Sequence, residues 1–134
     1  MKRTALLPAL VLILAACGDQ AGRKEQKDLV REASALFSQC RFEETTVTAD
    51  RAIALGMADP QAYSFALMLK ARSLDLLARP AEANRIYDQL VELAQDVDTA
   101  GKARKVARSL DVMLERCAAN PGQDGPAETG EPTG

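Results

Sequence analysis

Five stretches of the chain carry apolar residues at the three-and-four spacing of a helix face, and none alternates as a half-buried strand does. Over residues 23–40 the stripe is Leu29, Ala33, Leu36, Phe37 and Cys40. Over 42–55 it is Phe42, Thr45, Ala49, Ala52 and Ile53, with Gly56 just past the end, where glycine readily stops a helix. The third stretch, 60–78, differs: Ala62, Tyr63, Phe65, Ala66, Leu67, Met68, Leu69, Ala71, Leu74, Leu76 and Leu77 leave almost no polar side. A helix apolar all round is covered on more than one face, so this one is expected at the centre. Asp59 is placed to cap it, Pro60 suits its first position, and Arg79 before Pro80 closes it. The fourth stretch, 80–97, carries Ala83, Ile86, Tyr87, Leu90, Val91, Ala94 and Val97. The fifth starts at Asp98 or Thr99 and runs to about Ala119, striped by Ala103, Val106, Ala107, Leu110, Leu114 and Cys117; Asn120-Pro121 stops it. The fold class that follows is all-α.

The two ends do not belong to this pattern. Lys2 and Arg3 precede an apolar run from Ala5 to Leu14, followed by Leu14-Ala15-Ala16-Cys17. This resembles the lipobox of bacterial lipoproteins, in which a Leu and two small residues precede a cysteine. The resemblance implies that 1–16 is a signal peptide cleaved before Cys17, and that Cys17 is lipidated on its sulfur and then on its new amino group. The apolar run is too short to span a bilayer as a permanent helix. Gly18 stands where an aspartate would retain such a protein at the inner membrane. The implied location is therefore the inner leaflet of the outer membrane, facing the periplasm. Residues 17–22 then hold the lipidated Cys17 and a short tether, whose five residues 18–22 reach roughly 18 Å if extended, which keeps the domain close to the membrane. Residues 23–119 form the helical domain. Residues 120–134, rich in Gly, Pro, Thr and acid, form a tail expected to be disordered.

Within the domain the sequence repeats. Ala71-Arg72-Ser73-Leu74-Asp75 recurs as Ala107-Arg108-Ser109-Leu110-Asp111, and Ala33-Ser34-Ala35-Leu36 precedes Ala71-Arg72-Ser73-Leu74 by 38 residues. That register pairs Leu29 with Leu67, Arg41 with Arg79, Glu44 with Glu82 and Leu55 with Leu93. The stretches therefore read as A1 and B1, A2 and B2, and a final A3. Two helix-turn-helix units plus a C-terminal capping helix resemble the tetratricopeptide repeat (TPR) in unit length and in the placing of small and large residues. Ala71 and Leu74 lead to Ala83 and Tyr87 as that pattern asks; Ala33 and Leu36 lead to Thr45 and Ala49, which depart from it. No Trp is present, and the units are two to four residues too long.

In that family the A helices line a concave face that binds partner peptides. The resemblance puts Lys27, Val30, Ser34 and Phe37 there from A1, Phe65, Met68, Arg72 and Asp75 from A2, and Arg104, Arg108 and Asp111 from A3. The expected groove has Phe37, Phe65 and Met68 as an apolar floor and Arg72, Arg104 and Arg108 as a carboxylate-gripping cluster. The same charges also suit a solvated face.

Composition narrows the chemistry. The 134 residues include no His, which removes the commonest general base and metal ligand. With three cysteines a Cys/His zinc site is nearly excluded. No phosphate loop, catalytic pair or carboxylate cluster stands out, so neither an enzyme nor a cofactor or metal protein is expected. Without Lys2 and Arg3, 15 basic face 19 acidic side chains, which does not suggest nucleic acid. With Cys17 lipidated, Cys40 and Cys117 remain. A regular stack keeps A1 and A3 apart, whereas a closed bundle lets this pair meet as a disulfide. The function expected is an adaptor or scaffold module binding a protein or peptide in cell-envelope assembly or secretion, with no small-molecule substrate evident. The alternative is a pilotin-like chaperone of an outer-membrane secretin, which the helix end Leu36-Phe37-Ser38-Gln39-Cys40-Arg41 and the lipid anchor resemble.

Overall fold

The structure, a computed structural model, describes the backbone of residues 6–94, 98–114 and 117, and side chains from residue 20 onward. Among the described residues there are five α-helices: α1 Leu6–Ser38, α2 Phe42–Ile53, α3 Pro60–Leu76, α4 Pro80–Leu93 and α5 Ala100–Ala107. A 3-10 segment, Arg108–Leu114, continues α5. The helices pack in pairs, α1 with α2 and α3 with α4, with α5 and the 3-10 segment as the cap. This is the expected arrangement of helix-turn-helix repeats.

The central helix is α3, which touches α1, α2, α4, α5 and the 3-10 segment. Asp59 caps it, its carboxylate accepting the Ala62 N–H at 3.0 Å, with Pro60 at the first position. Around α3 the core of the described residues divides into three groups. Leu29, Ala49, Ala52 and Ala66 join α1, α2 and α3. Leu67, Ala71, Leu74, Ala83, Ile86, Tyr87, Leu90, Ala103 and Ala107 join α3, α4 and α5. Ala33, Phe37, Leu69, Leu110 and Leu114 join α1, α3 and the 3-10 segment. Ala33, Ala49, Ala52, Ala66, Ala71, Ala83 and Ala107 have no exposed surface at all. Alanine at these crossings lets helix backbones approach closely enough to interlock.

The repeat is visible in the backbone as well as in the letters. α1 ends with Cys40 in the left-handed region (φ 62°), the Arg41 N–H reaching the Leu36 carbonyl at 3.0 Å and the Cys40 N–H that of Phe37 at 2.9 Å. Thirty-eight residues later α3 ends identically. Ala78 is left-handed (φ 60°), with the Arg79 N–H on Leu74 at 2.8 Å and the Ala78 N–H on Asp75 at 3.1 Å. Both are Schellman turns, in which the residues past the helix end satisfy its last carbonyls. The residue after each turn, Arg41 or Arg79, starts the next helix, its carbonyl accepting from Thr45 or Ala83. A non-glycine residue at positive φ is costly, so two of them at one register mark the turn as a designed part of the unit.

Three features differ from the sequence expectation. Residues 18–22, expected as an extended tether, are helical, because α1 is continuous from Leu6 to Ser38. Gly18 and Gly22 cost about 1 kcal/mol each inside a helix but do not break it, and no proline follows Pro8 in this stretch. The fourth helix stops at Leu93, short of Val97, with Ala94 already extended (φ −102°, ψ 120°). The fifth element is α-helical only to Ala107 and then tightens to 3-10. Thr99 rather than Asp98 caps it, accepting the Lys102 N–H at 3.1 Å. Among the described residues no helix is long and apolar enough to cross a membrane. The tail expected over 120–134 and the side chain of Cys17 lie outside the described residues.

Candidate interaction face

The face formed by α1, α3 and α5 is where the groove was expected, and the chain's own C-terminal segment crosses it. Leu110 and Leu114 close over Phe37 and Leu69, with Met113, Phe65, Met68 and Val30 packed around them. Phe37 is fully buried, its ring edge-on to Phe42 with centroids 5.5 Å apart. Phe37 is therefore the floor of a filled core. It does not line an open groove, because the capping segment folds back across A2 to reach A1. Phe65 and Met68 are half-buried at the border of the same cluster. Cys40 and Cys117 are joined by a disulfide, Cα to Cα 6.2 Å, which ties the far ends of A1 and A3. The bundle is closed at this end.

The arginines expected to grip a partner are met by the chain's own carboxylates. Arg72 forks onto Asp111, with both N–H···O distances 2.7 Å, and its other terminal nitrogen lies 3.9 Å from Asp75. Arg104 donates to Asp75 at 3.1 and 3.3 Å and to the Asn84 side-chain carbonyl, and stacks over the Tyr87 ring at 4.7 Å. The Tyr87 hydroxyl donates to Asp75 at 2.8 Å. The structure thus brings Arg72 and Arg104 together around Asp75, while Arg108 stands exposed at the start of the 3-10 segment. The hydrogen bond to Asp111 raises the pKa of Arg72 against its burial, and the bond to Asp75 does the same for Arg104. Burial first, and then the bond to Asp75, pushes the Tyr87 phenol far above its ordinary range. All three groups keep their usual protonation at neutral pH, so the network is a fixed polar brace between α3, α4 and the cap.

The pairing gives Arg72 a part in holding the fold. Its side chain is only 14% exposed while that of Asp111 is 42% exposed, so the pair is half in solvent and its charge is partly screened. Arg72→Ala is expected to destabilise the fold by about 1–2 kcal/mol through loss of a bidentate charged bond. In a double-mutant cycle with Asp111→Ala, urea midpoints should show a coupling of about 1 kcal/mol. Zero coupling would reduce the pair to a solvated surface contact.

One part of the A-helix face stays open. Lys27, Val30 and Arg31 of α1 and Asp59, Gln61 and Phe65 at the start of α3 border a cleft of about 350 Å³. Lys27 Nζ lies 3.5 Å from the Asp59 carboxylate. Asp59 is held below the usual carboxylate range, chiefly by the Ala62 N–H and then by Lys27. A second cleft of about 450 Å³ lies between α1 and α2, bordered by Glu32, Leu36, Arg41, Glu43, Glu44 and Val47. There Arg41 pairs with Glu44, and Glu43 with Arg79 at 2.8 Å. Among the described residues no cluster of three His, Cys, Asp or Glu side chains is placed to hold a metal.

Sequence reasoning missed Gln26. It is fully buried, and its amide makes three bonds, one to the last turn of α2 and two to the α2–α3 connection. Nε2 donates to the carbonyls of Ala52 at 2.9 Å and Gly56 at 2.7 Å, and Oε1 accepts the Asp59 N–H at 2.7 Å. The available signal was position: Gln26 precedes Leu29, Ala33 and Phe37 on the apolar stripe of α1.

The fold and the face define a small helical-repeat domain closed by its own cap. No protein-family model, no curated protein and no solved structure matches the chain.

Proposed function

We propose that this chain is a lipid-anchored envelope protein whose TPR-like domain binds a protein partner. The single observation that carries the binding half is the α1/α3 face, where the partly buried Val30 and Phe65 continue from the core beneath the cap into an open cleft edged by Lys27, Arg31 and Asp59. An apolar floor with charged edges on a rigid helix pair suits an amphipathic helix or extended peptide. The anchor half rests on Lys2, Arg3, the apolar run and Leu14-Ala15-Ala16-Cys17. The Cys40–Cys117 bond supports export, since disulfides persist in oxidising compartments such as the periplasm. Acyl chains contribute about 0.8 kcal/mol per buried CH₂, so two or three of them anchor durably.

Cys17→Ser is expected to abolish incorporation of a clickable palmitate and to move the protein from the membrane to the soluble fraction. Labelling that survives the substitution would remove the lipoprotein reading. For the binding half, a photo-crosslinking residue at Phe65 is expected to capture a protein from intact envelopes, and one at the exposed Arg85 on α4 is not. Equal capture at both positions would remove the α1/α3 face as the binding surface.

A further inference from the structure

We propose that the 3-10 segment is an internal occupant of the partner face, latched by the Cys40–Cys117 bond. A dithiol that reduces this bond would open the face to an amphipathic partner helix bearing the same aliphatic–acid–x–x–aliphatic pattern. The proposal rests on the interaction reading above.

The segment behaves as a bound ligand does. Its buried side chains, Leu110 and Leu114, both lie against the A-helix face, on Ala33, Phe37 and Leu69. Between them Asp111 sits in the fork of Arg72, the contact the sequence had assigned to a partner's carboxylate. The outer side of the segment is open: Arg108 and Ser109 are exposed, opposite the buried Leu110 and Leu114, and Val112 is an apolar residue left in solvent at 67% exposure.

It is also the least regular helical element. The α-helix stops at Ala107 and seven residues follow in 3-10 geometry, which rarely persists beyond three or four because its hydrogen bonds are poorer. A partner able to keep α-helical geometry on the same face would lack that handicap. The segment covers only the end of the face near the C-termini of α1 and α3. Toward their N-termini Val30 and Phe65 run on into the open cleft, so a longer helix would gain contacts that the internal occupant does not make.

The latch is the covalent element. It joins the turn after α1 to the residue three beyond the segment, across 77 residues of chain. While it is closed, the local concentration of the segment at the face is high and a partner in trans competes poorly. Opening it is thiol–disulfide exchange. One thiolate of the dithiol attacks a sulfur of the bond and forms a mixed disulfide, and the second thiolate resolves it. Two electrons pass to the protein, Cys40 and Cys117 take up two protons as thiols, and the dithiol becomes a cyclic disulfide.

The test uses the full chain carrying Cys17→Ser, so that one redox pair remains, with and without dithiothreitol. A fluorescent peptide with the sequence of residues 100–116 is the probe. Binding is expected to tighten at least tenfold on reduction, and again in the Cys40→Ser/Cys117→Ser variant. A peptide with Asp111→Arg should lose that gain, and Arg72→Asp in the protein should restore it. Hydrogen exchange read in parallel should show amides of 108–114 losing protection on reduction while those of 60–76 keep theirs. Loss of protection in both regions together would mean that the bond holds the whole fold, and would overturn the latch. No loss at 108–114 would overturn the latch too and leave the interaction reading to the open cleft. Selective release of 108–114 without peptide binding would overturn the matching partner helix and leave the interaction reading to the open cleft.

Discussion

Phe37→Ala is expected to lower the stability of the domain by about 3–5 kcal/mol, which is the range for removing a fully enclosed phenyl ring. Phe37 has no exposed surface and is ringed by Ala33, Leu69, Leu110 and Leu114. Its loss leaves a cavity at the junction of three elements, one of them tied by a disulfide and slow to collapse into the space. A domain of this size holds roughly 5–10 kcal/mol in all, so the variant should sit near its unfolding threshold at room temperature. At roughly 4–8 °C per kcal/mol, the melting temperature should fall by more than ten degrees. Phe42→Ala is the comparison. Its ring touches Phe37 edge-on but is half-buried, and it should cost about half as much. Equal and small losses for the two would return Phe37 to the surface, where the repeat register alone had put it.

That register was right about the side of the helix and silent about what lies on top of it. Phe37, Phe65, Met68 and Arg72 do share the face of α1 and α3. A stripe of apolar residues reports only that something covers it, and the coverer of Phe37 here, Leu110 and Leu114, comes from far downstream in the chain. The duplicated pentapeptide carries the clue. Arg72 of the first copy pairs with Asp111 of the second, so two copies of Ala-Arg-Ser-Leu-Asp meet across the bundle. The duplication sets a period, and it also brings the arginine of one copy to the aspartate of the other.

The helix boundaries were legible where local chemistry decides them, as at Asp59, Pro60 and Thr99. They were not legible where tertiary packing decides them. Nothing in Arg108–Leu114 marks a change from α to 3-10, and this run must bring Leu110, Leu114 and Cys117 round to Phe37 and Cys40. Upstream, Gly18 and Gly22 read as a linker by composition, yet the helix runs through them. Two glycines weaken a helix without ending it.

Gln26 is the residue on which the second large effect turns. Its amide satisfies the Gly56 carbonyl and the Asp59 N–H in the turn between α2 and α3, and adds a bond to the Ala52 carbonyl. Gly56 occupies the left-handed region there (φ 70°), so the turn is tight and its polar groups point inward. Gln26→Leu keeps the volume but strips those groups of their partner. Each buried group left unmet costs about 1–3 kcal/mol, and the expected loss is about 2–4 kcal/mol by urea unfolding.

Gln26→Glu separates hydrogen bonding from shape. One carboxylate oxygen can still accept from Asp59 N–H, but the other meets two carbonyl oxygens where Nε2 had donated. Burial and those oxygens favour the protonated form, so the pKa of the introduced group should rise above the ordinary glutamate value of about 4.3. The sign follows from linkage. A carboxyl whose pKa is higher folded than unfolded supports the fold below its unfolded value and withdraws that support as pH climbs through the folded one. The gap between variant and parent should therefore be small near pH 4 and widen toward neutrality, the other carboxylates cancelling in the difference. A gap that stays constant across that range would mean that water enters the turn and solvates the charge, so that the introduced carboxyl titrates alike folded and unfolded.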